Sequence, residues 1–235
     1  MTFSIITVNY NNEAGLEKTI NNIVSVKAET KKDIELIVID GYSDDESLDI
    51  INKNKDHIDK WLSERDEGIF DAMNKGIDLA ANDWLIFMNS GDTFHDSKIL
   101  SKIPENVLSG SVNLIYGNKV ENGVVCKAKA ISNLKLGIIH ACHQSMLFNR
   151  RLDIKYDVGV VLYGDFGYVV DYYLASPDGV FYFDEIISET EPNGVSSKVN
   201  FTKRKEKYQL VYSRFGLKAV LFSALYKLKA LVIGE

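Results

Sequence analysis

The stretch WLIFMNSGD, residues 84–92, joins five apolar residues to a turn of small polar residues that ends in a carboxylate. Such an apolar run indicates a strand that is buried on both faces of a sheet. A carboxylate directly after a buried strand can bind a hard cation such as Mg²⁺ or Mn²⁺, which keeps most of its coordination sphere for water and substrate phosphates. The same residues also fit a simpler structure, in which Asp92 caps the next helix.

The residues before this stretch alternate between short apolar runs and helical patterns. The apolar runs predict strands at 3–8, 34–39, near 61–62 and at 84–88, and the helical patterns predict helices at 13–26, 47–58 and 69–81. Strict alternation of strand and helix is typical of βαβ units with a parallel sheet and right-handed crossovers. The predicted fold class is therefore α/β.

Polar loops follow all four predicted strands, at residues 9–12, 40–45, 64–68 and 89–92. Each loop alone is weak support for a site, because Asn, Asp, Ser and Gly are ordinary turn residues. In open α/β sheets, however, ligands bind at the carboxyl ends of the strands, where these loops would meet. The sequence therefore predicts one shared ligand site at that edge.

The composition indicates a single compact unit with a modified C-terminal third. The chain has 235 residues, 46% of them hydrophobic and 26% charged, and only three prolines. Cys126 and Cys142 form neither a disulfide framework nor a CxxC pair, which fits a reducing compartment. The first residues lead directly into a strand pattern without the features of a signal peptide. We expect a cytoplasmic protein without a membrane span.

Charge is distributed unevenly along the chain. Residues 198–235 contain nine Lys or Arg and two Glu, a net charge of +7, so the rest carries −13 of the overall −6. The acidic body argues against a nucleic acid partner. The basic tail fits either an anionic membrane surface or a solvated helix. Its apolar residues recur at helical spacing and could lie in a membrane interface, on the body or on another subunit. They are Phe215, Leu217, Val220, Leu221, Ala224, Leu225, Leu228, Leu231 and Val232.

Several common site motifs are absent from the sequence. No G-x-G-x-x-G follows the first strand, which disfavours a nicotinamide or flavin site, and no G-x-x-x-x-G-K-[ST] of a P-loop NTPase occurs. The G-x-S-x-G elbow of the α/β-hydrolases is also missing. His57, His95, His140 and His143 do not have the spacing of a zinc site.

Four segments carry a family resemblance: SIITVNYN at 4–11, VIDGYSDDES at 38–47, SERDEGIFDAMNKG at 63–76 and NSGD at 89–92. In order and spacing they resemble the family 2 glycosyltransferases, and most closely the bacterial branch that builds capsule, exopolysaccharide and O-antigen units. The resemblance implies a GT-A fold with a mixed central sheet. It would consist of a catalytic domain, residues 1–197, and the basic amphipathic tail, residues 198–235. Within the domain, residues 1–92 would bind the nucleotide sugar and residues 93–197 the acceptor.

The resemblance also implies a donor site. Tyr10 would stack on or flank the base, Asp40 would hydrogen-bond the base or ribose, and Asp66 would lie beside the nucleotide. The segment containing Asp71 and Lys75 would flank the diphosphate and sugar, although its residues fit structural support of the helix equally well. The implied donor set is Thr7, Asn9, Tyr10, Asp40, Asp66, Asp71, Asn74, Lys75, Asn89, Ser90, Gly91, His143 and Gln144.

The family resemblance also implies which residues bind the metal and which acts as the base. Asp92 matches the family's metal-binding carboxylate, in a degenerate motif with Asn89 and Gly91 where acids often stand, so Mn²⁺ or Mg²⁺ would be shared with the donor diphosphate. The segment HACHQSMLF, residues 140–148, resembles the branch's H-Q-S strand near the donor sugar.

Asp165, in the segment YGDFGYVVD at residues 163–171, takes the position of the catalytic base. Gly167 replaces the second acid of the usual pattern, and two alternatives remain. Asp165 could be a helix N-cap, which is compatible with catalysis, or Asp171 could be the base. EPNGVSS, residues 191–197, resembles the family's Gly-x-Ser loop or is a plain turn.

The resulting functional hypothesis is an inverting transfer of sugar from a nucleotide-diphosphate sugar to a saccharide or a polyprenyl-diphosphate-linked acceptor, in cell-surface polysaccharide biosynthesis. The protein would act in the cytoplasm or on the inner face of the cytoplasmic membrane. The sequence leaves its oligomeric state open. One alternative is a catalytically silent relative that only binds nucleotide sugars or partners. A sugar nucleotidyltransferase fits less well, because the Gly-rich loop expected after the first strand is missing.

Overall fold

The computed structural model describes residues 1–191 and 201–233 of the chain, with side chains described at 1–191 and 205–226. The strands are β1 (Thr2–Asn9), β2 (Asp33–Asp40), β3 (Lys60–Ser63), β4 (Trp84–Phe87), β5 (Thr93–Phe94), β6 (Leu114–Glu121), β7 (Val124–Cys126), β8 (Met146–Asn149) and β9 (Val180–Thr190). The helices are α1 (Glu13–Glu29), α2 (Ser47–Lys53), α3 (Ile69–Leu79), α4 (Ile99–Lys102), α5 (Glu105–Leu108), α6 (Gly164–Ala175) and α7 (Phe201–Ile233).

The described strands form one mixed sheet in the order β3-β2-β1-β4-β8-β6-β9-β5, and β7 pairs with β6. The first four are mutually parallel, as the alternation of strand and helix predicted. β8 runs antiparallel to both β4 and β6, whereas β6 and β9 are parallel. The α/β fold class with a mixed central sheet is confirmed.

The register of the parallel strands brings their carboxyl ends together. Asn9 pairs with Asp40 at the end of β1 and β2, and Asp40 pairs with Ser63 at the end of β3. Ile6 of β1 lies opposite Phe87, the last residue of β4. The loops after these four strands therefore leave the sheet at one edge, as predicted.

Apolar cores lie on both faces of the sheet. β1 shows why, because Phe3 and Ile5 enter one core while Ile6 enters the other, following the two-residue alternation of a strand. α1 packs on the first face, and α3 and α6 contribute to the second core. β1, β2 and β4 are thus largely buried on both sides, as their composition indicated, whereas the edge strand β3 leaves Trp61 exposed.

Two sequence predictions about local structure were wrong. The helix predicted at 47–58 ends at Lys53, because Asn54 turns back and its side chain donates to the Ile50 carbonyl at 2.9 Å. Ile58 still reaches the core from the following turn. The H-Q-S segment, predicted as a strand, forms a 3-10 turn over His143–Ser145, and β8 begins at Met146.

The C-terminal helix packs on the body with one face. Gly216, with φ of 77° and ψ of −180°, interrupts α7 and divides it into two helical segments. Leu210 and Val211 before this glycine and Ala219 after it are buried in the second core. Ser223 Oγ donates to the Leu136 carbonyl at 2.6 Å. Of the helices that the structure describes, none has a long enough apolar stretch to cross a bilayer.

Gly76 allows α3 to approach β1 closely, and replacing it tests this packing. A Cβ at Gly76 would lie 2.4 Å from Ile6 Cγ2, so Gly76→Ala should destabilise the fold by about 1–3 kcal/mol through overpacking. Gly167→Ala is the matched control in α6, because its Cβ would meet only Leu210 Cδ2 at 3.7 Å. Gly167→Ala should instead raise the free energy of unfolding by about 0.5–1 kcal/mol. Urea unfolding midpoints measure both changes, and equal midpoints for the two variants would contradict the close approach.

Candidate active site

The Asp40 carboxylate ties together the ends of three strands. Its Oδ1 accepts from Asn9 Nδ2 at 2.9 Å and from Ser43 Oγ at 2.5 Å. Its Oδ2 accepts from Ser63 Oγ at 2.7 Å and from the Ser43 backbone N–H at 3.1 Å. An ionised carboxylate has about four acceptor sites, so Asp40 is fully satisfied by protein donors. It holds the loops after β1, β2 and β3 in one arrangement.

Three of the predicted donor-site residues lie below the surface of this edge. Thr7, Asn9 and Asp40 are completely or almost completely buried. Direct contact of Asp40 with a base or ribose, as predicted, does not fit this geometry, because its carboxylate faces inward. Asn9 and Asp40 can act on a ligand through the loops that they hold. Thr7 Oγ1 and Asn9 Oδ1 have no hydrogen-bond partner within the described part of the chain.

Two aromatic rings project from the neighbouring loops. Tyr10 is 68% exposed and Tyr42 is 60% exposed, and the Arg65 guanidinium lies 5.6 Å from the centre of the Tyr42 ring. Sequence reasoning selected Tyr10 but missed Tyr42 and Arg65. Tyr42 has φ of 64°, a conformation that its residue type did not suggest. Exposed planar rings next to a guanidinium can stack against a flat, anionic ligand.

Lys75 fastens the loop after β3 to α3. Its ammonium lies 2.7 Å from Asp66, 2.9 Å from Glu64 and 3.2 Å from Asp71. Burial would lower the pKa of Lys75, but the hydrogen bonds to these carboxylates outweigh burial and raise it. Burial raises the pKa of Asp66, although Lys75 opposes the shift. Lys75 is therefore a permanent cation at this edge.

Asn74 connects α3 to the second half of the chain. Its Nδ2 donates to the Tyr156 carbonyl at 2.9 Å, and its Oδ1 accepts from the Tyr156 N–H at 2.8 Å. Both amide groups are thus used within the protein. Of the two readings that the sequence left open for Asn74, these bonds support the structural one.

The Asp92 carboxylate is nearly buried, with 7% exposure, between the two halves of the chain. Its Oδ1 accepts from the Glu191 N–H at 3.0 Å, and its Oδ2 accepts from Gln144 Nε2 at 2.6 Å. Burial raises the pKa of Asp92, although these two donors act in the opposite direction. Gly91 precedes it with φ of 99°, and Lys18 Nζ donates to the Gly91 carbonyl at 2.7 Å and to Glu191 Oε1 at 3.0 Å.

His143 joins the loop after β4 to the first turn of α6. Its Nδ1 lies 3.0 Å from Asp165 Oδ2, and its Nε2 lies 3.2 Å from Asn89 Nδ2. Burial alone would lower the pKa of His143, but the Asp165 carboxylate outweighs burial and raises it. The imidazole therefore orients one oxygen of Asp165 while the other, Oδ1, is buried without a hydrogen-bond partner among the described residues.

Asp171, the alternative base, has a different environment. Arg214 binds both of its oxygens, through Nε at 3.0 Å and Nη2 at 3.2 Å. Such a bidentate pair satisfies the carboxylate and fixes its orientation. Of the two acids in α6, Asp165 is the one that contacts the 143–144 turn.

Cys142 lies directly before that turn. Burial raises the pKa of its thiol to about 12, and its Sγ points to Gln144 Oε1. A buried thiol with so high a pKa is unreactive at neutral pH. Cys126, at the end of β7, is partly exposed and is a free thiol as well.

A divalent cation fits beside Asp92. No cluster of three or more His, Cys, Asp or Glu side chains able to hold a metal occurs in the described ranges. Each Asp92 oxygen nevertheless has only one hydrogen bond and keeps acceptor capacity. The nearby Asn89 Oδ1 and Ser90 Oγ are buried oxygens for which no partner is found in the same part of the chain. This donor set suits a hard cation that is shared with phosphate and water. The Gly-x-Ser segment after Glu191 lies outside the described residues.

Sequence comparison identifies related proteins. The family model of glycosyl transferase family 2 matches residues 4–156. A PGL/p-HBAD biosynthesis glycosyltransferase of Mycobacterium tuberculosis (strain ATCC 25177 / H37Ra) is 30% identical over 156 residues, which cover 64% of this chain and 60% of the relative. An uncharacterized glycosyltransferase of M. tuberculosis (strain CDC 1551 / Oshkosh) is 38% identical over 117 residues, or 49% of this chain and 44% of the relative. The chain thus matches less than two thirds of either relative.

Structural comparison identifies the fold. Staphylococcus aureus TarS, residues 1–349 with UDP-GlcNAc, superposes with a TM-score of 0.73 at 16% identity, covering 91% of this chain and 66% of TarS. The mannosyltransferase PcManGT of Pyrobaculum calidifontis, with GDP-Man and Mn²⁺, gives 0.63 at 13% identity, covering 99% and 76%. Glucosyl-3-phosphoglycerate synthase of M. tuberculosis, with Mn²⁺, UDP and glucosyl-3-phosphoglycerate, gives 0.61 at 15% identity, covering 92% and 80%. The predicted GT-A fold is confirmed.

Proposed function

The chain belongs to glycosyl transferase family 2, and from that premise we propose that it is an inverting, metal-dependent transferase that uses a nucleotide-diphosphate sugar. The observation that carries this proposal is the 143–144 turn. His143 contacts the proposed base, Asp165, while the adjacent Gln144 contacts the proposed metal ligand, Asp92. The groups that an inverting transfer requires at opposite sides of the sugar are therefore held by consecutive residues.

Asp165 acts as the general base in this mechanism. It accepts the proton of the acceptor hydroxyl while the hydroxyl oxygen attacks the anomeric carbon and the bond from that carbon to the diphosphate breaks. Oδ1 has no hydrogen-bond partner among the described residues, and the bond from His143 Nδ1 to Oδ2 keeps the carboxylate in one orientation. Attack from the face opposite the leaving group inverts the anomeric centre.

Asp92 would hold Mn²⁺ or Mg²⁺, with the remaining ligands supplied by the donor diphosphate and water. The metal, when bound, would neutralise the charge that grows on the leaving diphosphate. Two similar folds, the mannosyltransferase of P. calidifontis and the M. tuberculosis synthase, were solved with Mn²⁺ and a nucleotide, which supports this assignment. Gln144 and the Glu191 N–H orient the Asp92 carboxylate.

The nucleotide would bind across the loops after β1, β2 and β3. Tyr10 and Tyr42 offer exposed rings for the base, and Arg65 beside Tyr42 adds positive charge. Lys75 keeps its charge close to this surface, although its ammonium is already paired with three carboxylates. TarS, a similar fold, was solved with UDP-GlcNAc, which supports a sugar nucleotide as the ligand.

The acceptor would be a saccharide or a polyprenyl-diphosphate-linked saccharide of a cell-surface polymer, reached at the inner face of the cytoplasmic membrane. The second segment of α7 supports this placement, because the face that points away from the body is apolar and carries the exposed Lys218. Its exposed apolar residues are Leu217, Leu221, Phe222, Leu225 and Tyr226. Such a helix can bury its apolar face in a membrane interface while basic residues meet anionic lipid.

Replacing Asp165 by Asn tests the base. The change keeps the shape but removes most of the proton affinity, so turnover should fall about 10²–10⁴-fold while donor binding persists. Asp171→Asn is the matched control on the same helix and should cost at least tenfold less. Transfer and hydrolysis of UDP-sugars and GDP-sugars measure turnover, and calorimetry with UDP measures binding. A variant Asp165→Asn as active as Asp171→Asn would show that the base is wrongly assigned.

Asp92→Ala tests the metal assignment. Removing the carboxylate should abolish the increase in UDP affinity that Mn²⁺ produces, because the cation would lose its protein ligand. Asp96→Ala is the control, since Asp96 lies four residues away and pairs with Lys102 at 2.9 Å. Calorimetry of UDP with and without Mn²⁺ compares the three proteins. The assignment would be contradicted by a metal effect of wild-type size in Asp92→Ala.

Membrane attachment is tested by changing the exposed face of α7. The triple variant L221Q/F222Q/L225Q should float less with vesicles containing phosphatidylserine than the wild type, because it loses apolar surface that the interface would bury. The control V124Q/V125Q removes exposed apolar residues from β7 instead. Wild-type flotation should weaken at high salt and with phosphatidylcholine alone. Equal flotation of wild type and triple variant, or none on anionic vesicles, would refute membrane attachment through this face.

A further inference from the structure

We propose that Glu206, on the C-terminal helix α7, is a positioning residue for the base Asp165. Its carboxylate fixes the backbone that enters α6, the helix whose first turn carries Asp165. The role assigned to Asp165 rests on the proposed function. The attachment of α6 to α7 rests on contacts alone. An experiment can therefore refute the base role of Asp165 without refuting the attachment, and the reverse.

The central contact is a double hydrogen bond. Glu206 Oε1 accepts from the Leu162 N–H at 2.8 Å and from the Tyr163 N–H at 2.7 Å. Tyr163 is the residue before the first helical residue of α6, and its side chain does not cap the helix. The N–H groups at a helix start need acceptors from elsewhere, and a carboxylate there is also favoured by the helix dipole. Glu206 supplies this acceptor two residues before Asp165.

Contacts at regular spacing align the two helices. Glu206, Leu210 and Arg214 lie four residues apart on α7, on one face of the helix. They contact Tyr163, directly before α6, and Gly167 and Asp171 within it, and these three positions are also four residues apart. Leu210 is buried between the two polar contacts. The apolar contact in the middle holds the helices together, while Glu206 and Arg214 fix how far one is displaced along the other.

The start of α6 also has a fixed position against the first half of the chain. A Cβ at Gly164 would lie 2.4 Å from the ring of Phe70 in α3, so only glycine fits there. Asp165 is thus held from three sides: by Phe70 packing at the preceding residue, by His143 at its carboxylate and by Glu206 at the helix start. Catalytic rates are sensitive to base placement at the scale of 1 Å, so loosening one of these holds should slow the chemical step.

The experiment compares variants at position 206 with a control on the same helix. Glu206→Ala should lower kcat about 10–100-fold at unchanged KM for the donor, because the base is displaced while the nucleotide loops are untouched. Glu206→Gln should recover most of the rate, since an amide oxygen can also accept both N–H bonds. Gln209→Ala removes an exposed side chain three residues on and should leave kcat at the wild-type value. If Glu206→Ala does not fold, Glu206→Asp takes its place in the test. The aspartate keeps the charge, but its side chain is too short to reach the Leu162 and Tyr163 N–H groups.

The His143 imidazole gives a readout that does not depend on turnover. Because His143 Nδ1 contacts Asp165, a displaced Asp165 should shift the imidazole nitrogen and proton signals of His143 in NMR spectra. We expect this shift in Glu206→Ala, but neither in Glu206→Gln nor in Gln209→Ala. A wild type that uses no nucleotide sugar would refute the proposed function, and the His143 shift would then still support the attachment. Unchanged His143 signals or an unchanged kcat in folded Glu206→Ala would overturn the positioning role.

Discussion

The arrangement of the candidate active site depends on one short turn, His143–Ser145, which forms hydrogen bonds to both halves of the chain. It precedes β8, and β8 pairs antiparallel with β4, so the start of β8 lies at the edge where β4 ends. His143 can therefore reach Asn89 and Asp165, while Gln144 reaches Asp92. A change of strand direction at β8 is what allows one turn to hold two carboxylates from separate segments.

The first half of the fold could be predicted from sequence because its organisation is local. Each strand is followed by its polar loop, and parallel pairing brings Asn9 and Asp40 to one edge without further information. The second half could not be predicted this way. Its strands pair across long sequence separations, and the β6 to β9 ladder contains register shifts that no periodic pattern specifies. The turn at residues 143–145 precedes the apolar strand β8, within a segment that the family resemblance implied to be a strand.

The residues of the candidate site were likewise predictable from sequence only in part. The family resemblance marked Asp92, Tyr10 and Lys75 as candidates, but it could not show which side chains face inward. Asp40 is an example, since a loop carboxylate after a strand looks accessible until Ser43 and Ser63 are found to enclose it. Glu206 carried no signal at all, because its partners are backbone N–H groups more than forty residues earlier in the chain. Contacts of that kind become visible only in three dimensions.

The contrast between the two thiols makes the protein convenient to label. Cys142 adjoins the turn that holds the site, but desolvation raises the pKa of its thiol to about 12, so electrophilic reagents at neutral pH should react with it slowly. Cys126 ends the outer strand β7, which pairs with β6 alone within the described residues. A maleimide dye or spin probe should therefore attach to Cys126 in preference to Cys142. Covalent inhibitors aimed at a cysteine near the site would find a poor nucleophile.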